Sequence, residues 1–248
     1  MTDRMPAAHR RSLGVILPDD GPFDYEWLRL KPWLDTHGFG HLGYHVTRTP
    51  ADGIMVPKNL QAIGRKEVLV PAARRLVAAG AEVVLWACTT GSFVEGRADA
   101  EAQAAEIVKG VGVPATNTSL AMAAAAAALG VREIDILSAY TEEVTALLAT
   151  FFRNSGLVVR RASALGCVHT AESAALDIEK IVARFAEQNP DSRRPIMIPD
   201  TAINTLAILP RLATAAGRPV ITANQASLWH ALALLDPATP DVLRLYGL

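Results

Sequence analysis

Short apolar runs, each closed by a turn residue or a charge, alternate along this chain with longer stretches in which apolar positions recur every three to four residues. LGVILP (13–18), EVVLWA (82–87), EIDILS (133–138), LVVRRA (157–162), PIMIP (195–199) and PVITA (219–223) read as buried strands. Between them, 67–79, 98–109, 119–129, 142–154, 172–187 and 203–216 read as helices. Five of these stop at or near Gly80, Gly110, Gly130, Gly156 and Gly217, and the sixth near Asn189. Glycine ends helices because it enters the left-handed conformation without a Cβ clash. Strands alternating with helices of this length imply parallel sheets covered on both faces and joined by right-handed crossovers, an α/β fold.

Two segments share one pattern. EVVLWACTTG (82–91) and RPIMIPDTAI (194–203) each run from a buried strand into one reactive residue and a threonine, then into a helix. The reactive residues are Cys88 and Asp200. The repetition implies two pseudo-symmetric, Rossmann-like α/β halves: residues 1–115 with 219–248, carrying Cys88, and 116–218, carrying Asp200. Ligands of open parallel sheets lie beyond the carboxyl ends of the strands, so both residues are expected to face one cleft between the halves.

At a helix N-terminus, Cys88 would meet free amides and the positive end of the helix dipole, which favour a thiolate. A buried structural cysteine is the alternative. The hydroxyls and amides of Thr89, Thr90 and Gly91 follow at once and suit a carboxylate oxygen. Asp200, followed by Thr201, is read as a helix cap, a catalytic group or both. Tyr140 lies at a strand end before TEEVTALLATFF, where its hydroxyl either donates to an oxyanion or packs. Cys167, in ALGCVHTAES, has no activating neighbours in sequence and is read as structural, whereas His169 and Thr170 follow a short apolar segment as cleft candidates. DYEWLRLKPWL (24–34) is read either as a cleft-edge lid or as an amphipathic helix at the surface or a subunit contact.

Composition narrows the class. The chain has 248 residues, 50% of them hydrophobic, and 24 basic against 25 acidic side chains. Without a basic surplus neither a nucleic-acid partner nor a polybasic membrane anchor is expected. Two cysteines do not make a secreted disulfide scaffold, and a cytoplasmic protein with free thiols is the simpler expectation. The polar, basic first dozen residues have no signal-peptide core behind them. LAMAAAAAALG (120–130) is far below the ~20 residues of a membrane span and reads as a closely packed helix. Metal-site spacings, a phosphate-binding P-loop and a dinucleotide glycine motif are all missing from the sequence, so neither metal nor cofactor is expected.

VVLWACTTGS (83–92), VPATNTSLAMAAAAAALGV (113–131), ILSAYTEEV (136–144) and GRPVITANQASLW (217–229), with HVTRTP (45–50) more weakly, resemble the aspartate/glutamate racemase superfamily and, within it, the maleate isomerase and arylmalonate decarboxylase branch. The resemblance implies two pseudo-symmetric α/β halves with the site between them, a small carboxylic or dicarboxylic acid as substrate, cofactor-free chemistry and a homodimer or homotetramer. The first catalytic position of that branch is Cys in isomerases and racemases and Gly in the decarboxylases. Here it is Cys88. Thr89, Thr90 and Tyr140 match the pocket for a substrate carboxylate, and Thr201 is placed with them. Pro18 matches the first-strand loop bordering it. The branch's asparagine in the second half falls near His169 or Thr170. The second catalytic position is normally Cys, and Asp200 aligns with it, so a two-thiol mechanism cannot run unchanged.

The reaction favoured on these grounds is maleate-type cis–trans isomerisation of a small dicarboxylate, with Cys88 as nucleophile and Asp200 in place of the second thiol. Malonate-type decarboxylation or racemisation at the carbon next to a carboxylate is the second expectation. A binding protein for small acids that has lost catalysis is the third.

Overall fold

The computed structural model describes residues 11–20 and 26–235. The termini and residues 21–25, where the expected lid begins, lie outside the described residues. The first half runs β1 (Ser12–Asp19), a 3-10 turn (Glu26–Arg29), α1 (Leu30–Thr36), β2 (Gly43–Pro50), α2 (Pro57–Ile63), α3 (Lys66–Ala78), β3 (Val83–Trp86), α4 (Thr90–Phe93), α5 (Arg97–Val111), β4 (Ala115–Asn117) and α6 (Thr118–Ala128). The second runs β5 (Glu133–Tyr140), α7 (Glu142–Asn154), β6 (Val158–Cys167), α8 (Thr170–Ala174), α9 (Ile178–Glu187), β7 (Ile196–Ile198), a 3-10 turn (Leu206–Ile208), α10 (Leu209–Ala216), β8 (Val220–Thr222) and α11 (Ala223–Leu235).

Each half builds one parallel sheet of four strands, in the orders β2-β1-β3-β4 and β6-β5-β7-β8. The two orders are the same when counted within each half, which is the expected pseudo-symmetry. Trp86 at the end of β3 pairs with Asn117, and Ile198 at the end of β7 pairs with Thr222. The segment after residue 219 divides between the halves. Its strand β8 edges the second sheet, while Leu228, Ala231, Leu232 and Leu235 of α11 pack into the core of the first. Met122, Ala125 and Ala126 of α6 pack into the core of the second half, and α11 lies against α6, so the two helices tie the halves together.

The inner strands β1, β3, β5 and β7 are buried on both faces, and near-continuous apolar sequence is the result. Two strands were not expected. The edge strand β2 alternates polar and apolar residues and is mostly half-buried, and β4 has only three residues. The helix expected over 172–187 is two, α8 and α9, and that over 203–216 begins as a helix only at Leu209, one residue before Pro210. Proline at the first helical turn needs no amide partner and sets the start there. In the described part of the 24–34 segment, Trp27, Leu30 and Leu34 point into the first core, and Glu26 docks on residues 204–206.

Candidate active site

Cys88 and Asp200 occupy equivalent places, each the second residue past the end of the third strand of its half. Local chemistry shapes both turns. After Cys88 the chain enters α4, a single turn, where the Gly91 amide donates to the thiol and Thr90 Oγ1 lies 3.9 Å from Sγ. Gly91 is required at this point, because a Cβ there would stand 2.7 Å from the Trp86 ring. In the other half the Ala202 amide donates to Asp200 Oδ1 at 2.9 Å, so Asp200 does cap its own turn.

A second tier of side chains fixes each turn from the following strand. Ser119, two residues past β4, donates to the Thr89 carbonyl at 3.1 Å, and Ser92 donates to the same oxygen at 2.8 Å. Asn224, two residues past β8, donates to the Thr201 carbonyl at 3.3 Å and that of Ile203 at 3.1 Å. Tyr140 closes β5. The next residue, Thr141, caps α7 by accepting from the Val144 amide at 3.4 Å, and Phe93 packs against the tyrosine ring.

Both catalytic candidates are buried, and their surroundings push them in ways the sequence did not foretell. Burial pushes the Cys88 thiol up to about 12, and the charges of Asp20 and Asp200 add to that, against the opposing bonds from Gly91 and Thr90. The expected thiolate is therefore not the resting form. One helical turn supplies little dipole, and burial outweighs it. Burial also raises Asp200 to about 6, the amide of Ala202 opposing and the charge of Asp20 assisting. The Tyr140 hydroxyl is held well above its ordinary value by burial and by Asp200. Near neutral pH the site thus holds a neutral thiol, a neutral phenol and an aspartate close to its midpoint.

Four buried polar atoms stand at the site without well-formed hydrogen bonds. The hydroxyls of Thr89 and Tyr140 lie beside each other, and that of Ser173 lies beside Asp200 and Cys167. None of the three makes a well-formed hydrogen bond, and Asp200 Oδ2 has no partner. Such atoms cost stability unless a bound molecule or water satisfies them. Next to Cys88 a cavity of about 30 Å³ is lined by Asp20, Asp52, Ile54, Cys88, Thr90 and Thr170. That is room for about two waters. Its rim is stitched across the halves by Met55 N to Val168 O at 2.7 Å and Thr170 N to Gly53 O at 2.9 Å.

The structure thus brings together Cys88, Thr89, Thr90, Tyr140, Thr170 and Asp200 of the expected residues. Thr201 is buried beside Asp200 and takes part through its carbonyl. Pro18 is buried within β1, and Asp20 forms the cavity wall at that strand end. His169 is exposed. Its backbone bridges to Ile54, and its amide, with that of Val168, donates to Glu172. Thr170, not His169, reaches the site, donating to Asp20 Oδ2 at 3.0 Å. Cys167 is a free, buried thiol near Asp200. Sequence reading missed Asp20, Asp52, Ser119, Ser173 and Asn224. The first has a signal in the chain, as the polar residue ending LGVILPDD, but the others become visible only once strands are paired.

Comparison with known proteins follows the same lines. The family profile of arylmalonate decarboxylase matches residues 53–242. Arylmalonate decarboxylase of Bordetella bronchiseptica is 31% identical over 234 residues, 93% of this chain and 92% of that protein. A liganded arylmalonate decarboxylase mutant, with one glycine changed to cysteine and one cysteine to serine, superposes with a TM-score of 0.79 at 28% identity, covering 96% of this chain and 99% of the other. A cysteine-to-serine mutant of Nocardia farcinica maleate cis-trans isomerase, carrying a covalently bound succinylcysteine intermediate, shares the fold with a TM-score of 0.82 at 17% identity, over 95% and 98% of the two chains. The chain belongs to the arylmalonate decarboxylase family.

Proposed function

We propose that this protein is a cofactor-independent decarboxylase of a small malonate-type acid, in which Cys88 protonates the carbanionic intermediate. The observation that carries the reading is the pair of shifts at equivalent strand ends: the thiol pushed up to about 12 and the carboxyl to about 6. Burial raises both, but from such different ordinary values that near neutral pH the thiol keeps its proton while the carboxyl can lose its own. Cys88 stays protonated near neutral pH and is the acid. The retained carboxylate of the substrate is received by the hydroxyls of Thr89 and Tyr140, which lie beside each other without a well-formed hydrogen bond, with Thr90 alongside.

The bond between the α-carbon and the departing carboxylate breaks. Its electron pair moves onto the α-carbon and the retained carboxylate, forming an enediolate, and carbon dioxide leaves. Tyr140 and Thr89 stabilise that charge as donors. The Cys88 proton then passes to the α-carbon, and the thiolate left behind regains a proton from water. Ionised Asp200 repels a second carboxylate placed near it, and loss of carbon dioxide removes that repulsion. Cysteine at the first strand end and no cysteine at the second is the reverse of the arrangement that the family resemblance implies for a decarboxylase, so the proton would come from the other wall of the cleft.

A second reading rests on Asp200 alone. A carboxyl near 6 can take a proton from the α-carbon while Cys88 returns one, which is racemisation. Cis–trans isomerisation by thiolate addition, favoured from sequence, needs an ionised Cys88, and the burial that raises the thiol counts against it.

One experiment separates these readings. The enzyme is incubated in deuterium oxide with phenylmalonate, methylmalonate, chiral 2-phenylpropionate and maleate. Carbon dioxide release with one deuterium at the α-carbon supports decarboxylation. Exchange of the α-hydrogen without carbon dioxide supports racemisation, and fumarate without α-deuterium supports isomerisation. Inertness toward all four, with thermal stabilisation by the acids, supports a binding protein.

A further inference from the structure

The two reactive turns are held by different means. The Cys88 turn is fastened from within its own half, by Ser92 and Ser119 on the Thr89 carbonyl. The Asp200 turn is fastened both from its own half, by Asn224 past β8, and from the other half, by Glu26. Glu26, six residues beyond Asp20, accepts the Thr205 amide at 3.0 Å and the Leu206 amide at 2.9 Å, and it accepts from Asn224 Nδ2 as well. Its own amide donates to Asn204 Oδ1 at 2.9 Å. Asn224 is fully buried, and its orientation is set by Trp27, whose Nε1 donates to Asn224 Oδ1 at 2.9 Å. Trp27 is in turn held by Tyr44, whose hydroxyl donates to the Trp27 carbonyl at 2.6 Å. With Oδ1 so occupied, Nδ2 must face Glu26 and the Thr201 and Ile203 carbonyls, the peptides that follow Asp200.

We infer that Glu26 is a positioning residue for Asp200: through Asn224 and the amides of Thr205 and Leu206 it sets the turn that carries this carboxyl. The inference rests on the role given to Asp200 above. A carboxylate suits the place because three donors converge on it and it offers only acceptors. Glutamine would present an N–H group to at least one of those donors and leave the turn without one of its fastenings. Desolvation is the largest influence on Asp200, so a loosened turn that admits water lowers its midpoint.

The test is a carbon-13 NMR titration of the full-length protein with labelled aspartate carboxyls, the Asp200 signal being assigned through Asp200→Asn. The wild-type midpoint is expected near 6. Glu26→Gln is expected to lower it by about half a pH unit or more. With phenylmalonate as the assayed compound, kcat is expected to fall about tenfold while KM moves less than about twofold. Trp27→Phe, which removes the donor that orients Asn224, is expected to shift the Asp200 midpoint in the same direction and by less, and it carries the test if Glu26→Gln does not fold. A folded variant that loses thermal stability but leaves the Asp200 midpoint in place overturns the inference and makes Glu26 a structural anchor only. Wild-type turnover by Asp200→Asn would instead overturn the role of Asp200, with the NMR midpoint still deciding the case of Glu26.

Discussion

The Cys88 and Asp200 turns are the same piece of architecture solved twice. Both follow the third strand of a four-stranded parallel sheet, both fold an amide back onto the reactive side chain, and both have a carbonyl gripped by a side chain two residues past the fourth strand. They differ in chemistry and in what holds them. One presents a thiol that burial keeps neutral, and the other a carboxyl that burial brings near the pH of the cell. A duplicated scaffold fixes where the two side chains stand, while their buried surroundings shift when each of them holds a proton.

The largest effect that probes this contrast is expected at the acid. Cys88→Ser should lower turnover about a thousandfold, because a serine hydroxyl is a far weaker proton donor to carbon, while Cys167→Ser should leave it nearly unchanged. Equal losses in the two variants, measured with the same substrate, would remove the distinction between the thiols. Tyr140→Phe comes next, with turnover down about a hundredfold for loss of one oxyanion donor. Its hydroxyl lies beside that of Thr89 without a well-formed hydrogen bond, so its melting temperature should change little. Were turnover to survive, the carboxylate pocket would lie elsewhere.

Asp200→Asn sharpens the comparison through stability. The folded-state value of about 6 lies above the ordinary 3.8, so the folded protein binds this proton more tightly than the unfolded chain does. The cost of ionising Asp200 is absent below pH 3.8, grows as pH rises, and is complete above about 6. The variant should therefore be more stable than wild type at pH 8, by up to about 3 kcal/mol, with the advantage vanishing near pH 4. Denaturant unfolding at the two pH values checks this, and a pH-independent difference would contradict the burial of an ionisable Asp200. The smallest effect is at the support. Ser119→Ala removes one hydrogen bond on the Thr89 carbonyl but leaves that from Ser92, and should cost about 1 kcal/mol and less than about tenfold in rate.

Much of this was legible in the chain. The apolar runs that became β1, β3, β5, β7 and β8 announce themselves because strands buried on both faces are mostly apolar, whereas the exposed edge strand β6 was marked only by the apolar start of its run. The edge strand β2 hid behind its alternating polar residues, and β4 behind its three-residue length. Cys88 and Asp200 stood out as reactive residues at the ends of apolar runs. The ionisation of Cys88 was misjudged because sequence shows a helix after it but not that the helix is a single turn, nor that Asp20 and Asp200 face the sulfur. Glu26 and Asn224 were beyond reach, since their sequence separation of 198 residues closes only when the two halves meet.

The antiparallel bridge between Ile54 and His169 has one more consequence. Two main-chain bonds at that seam, from Met55 and Thr170, join the halves along one wall of the cavity beside Cys88. Parting the halves there to admit a larger acid would break both bonds together, so opening along that wall would be a conformational step of its own, separate from the chemistry.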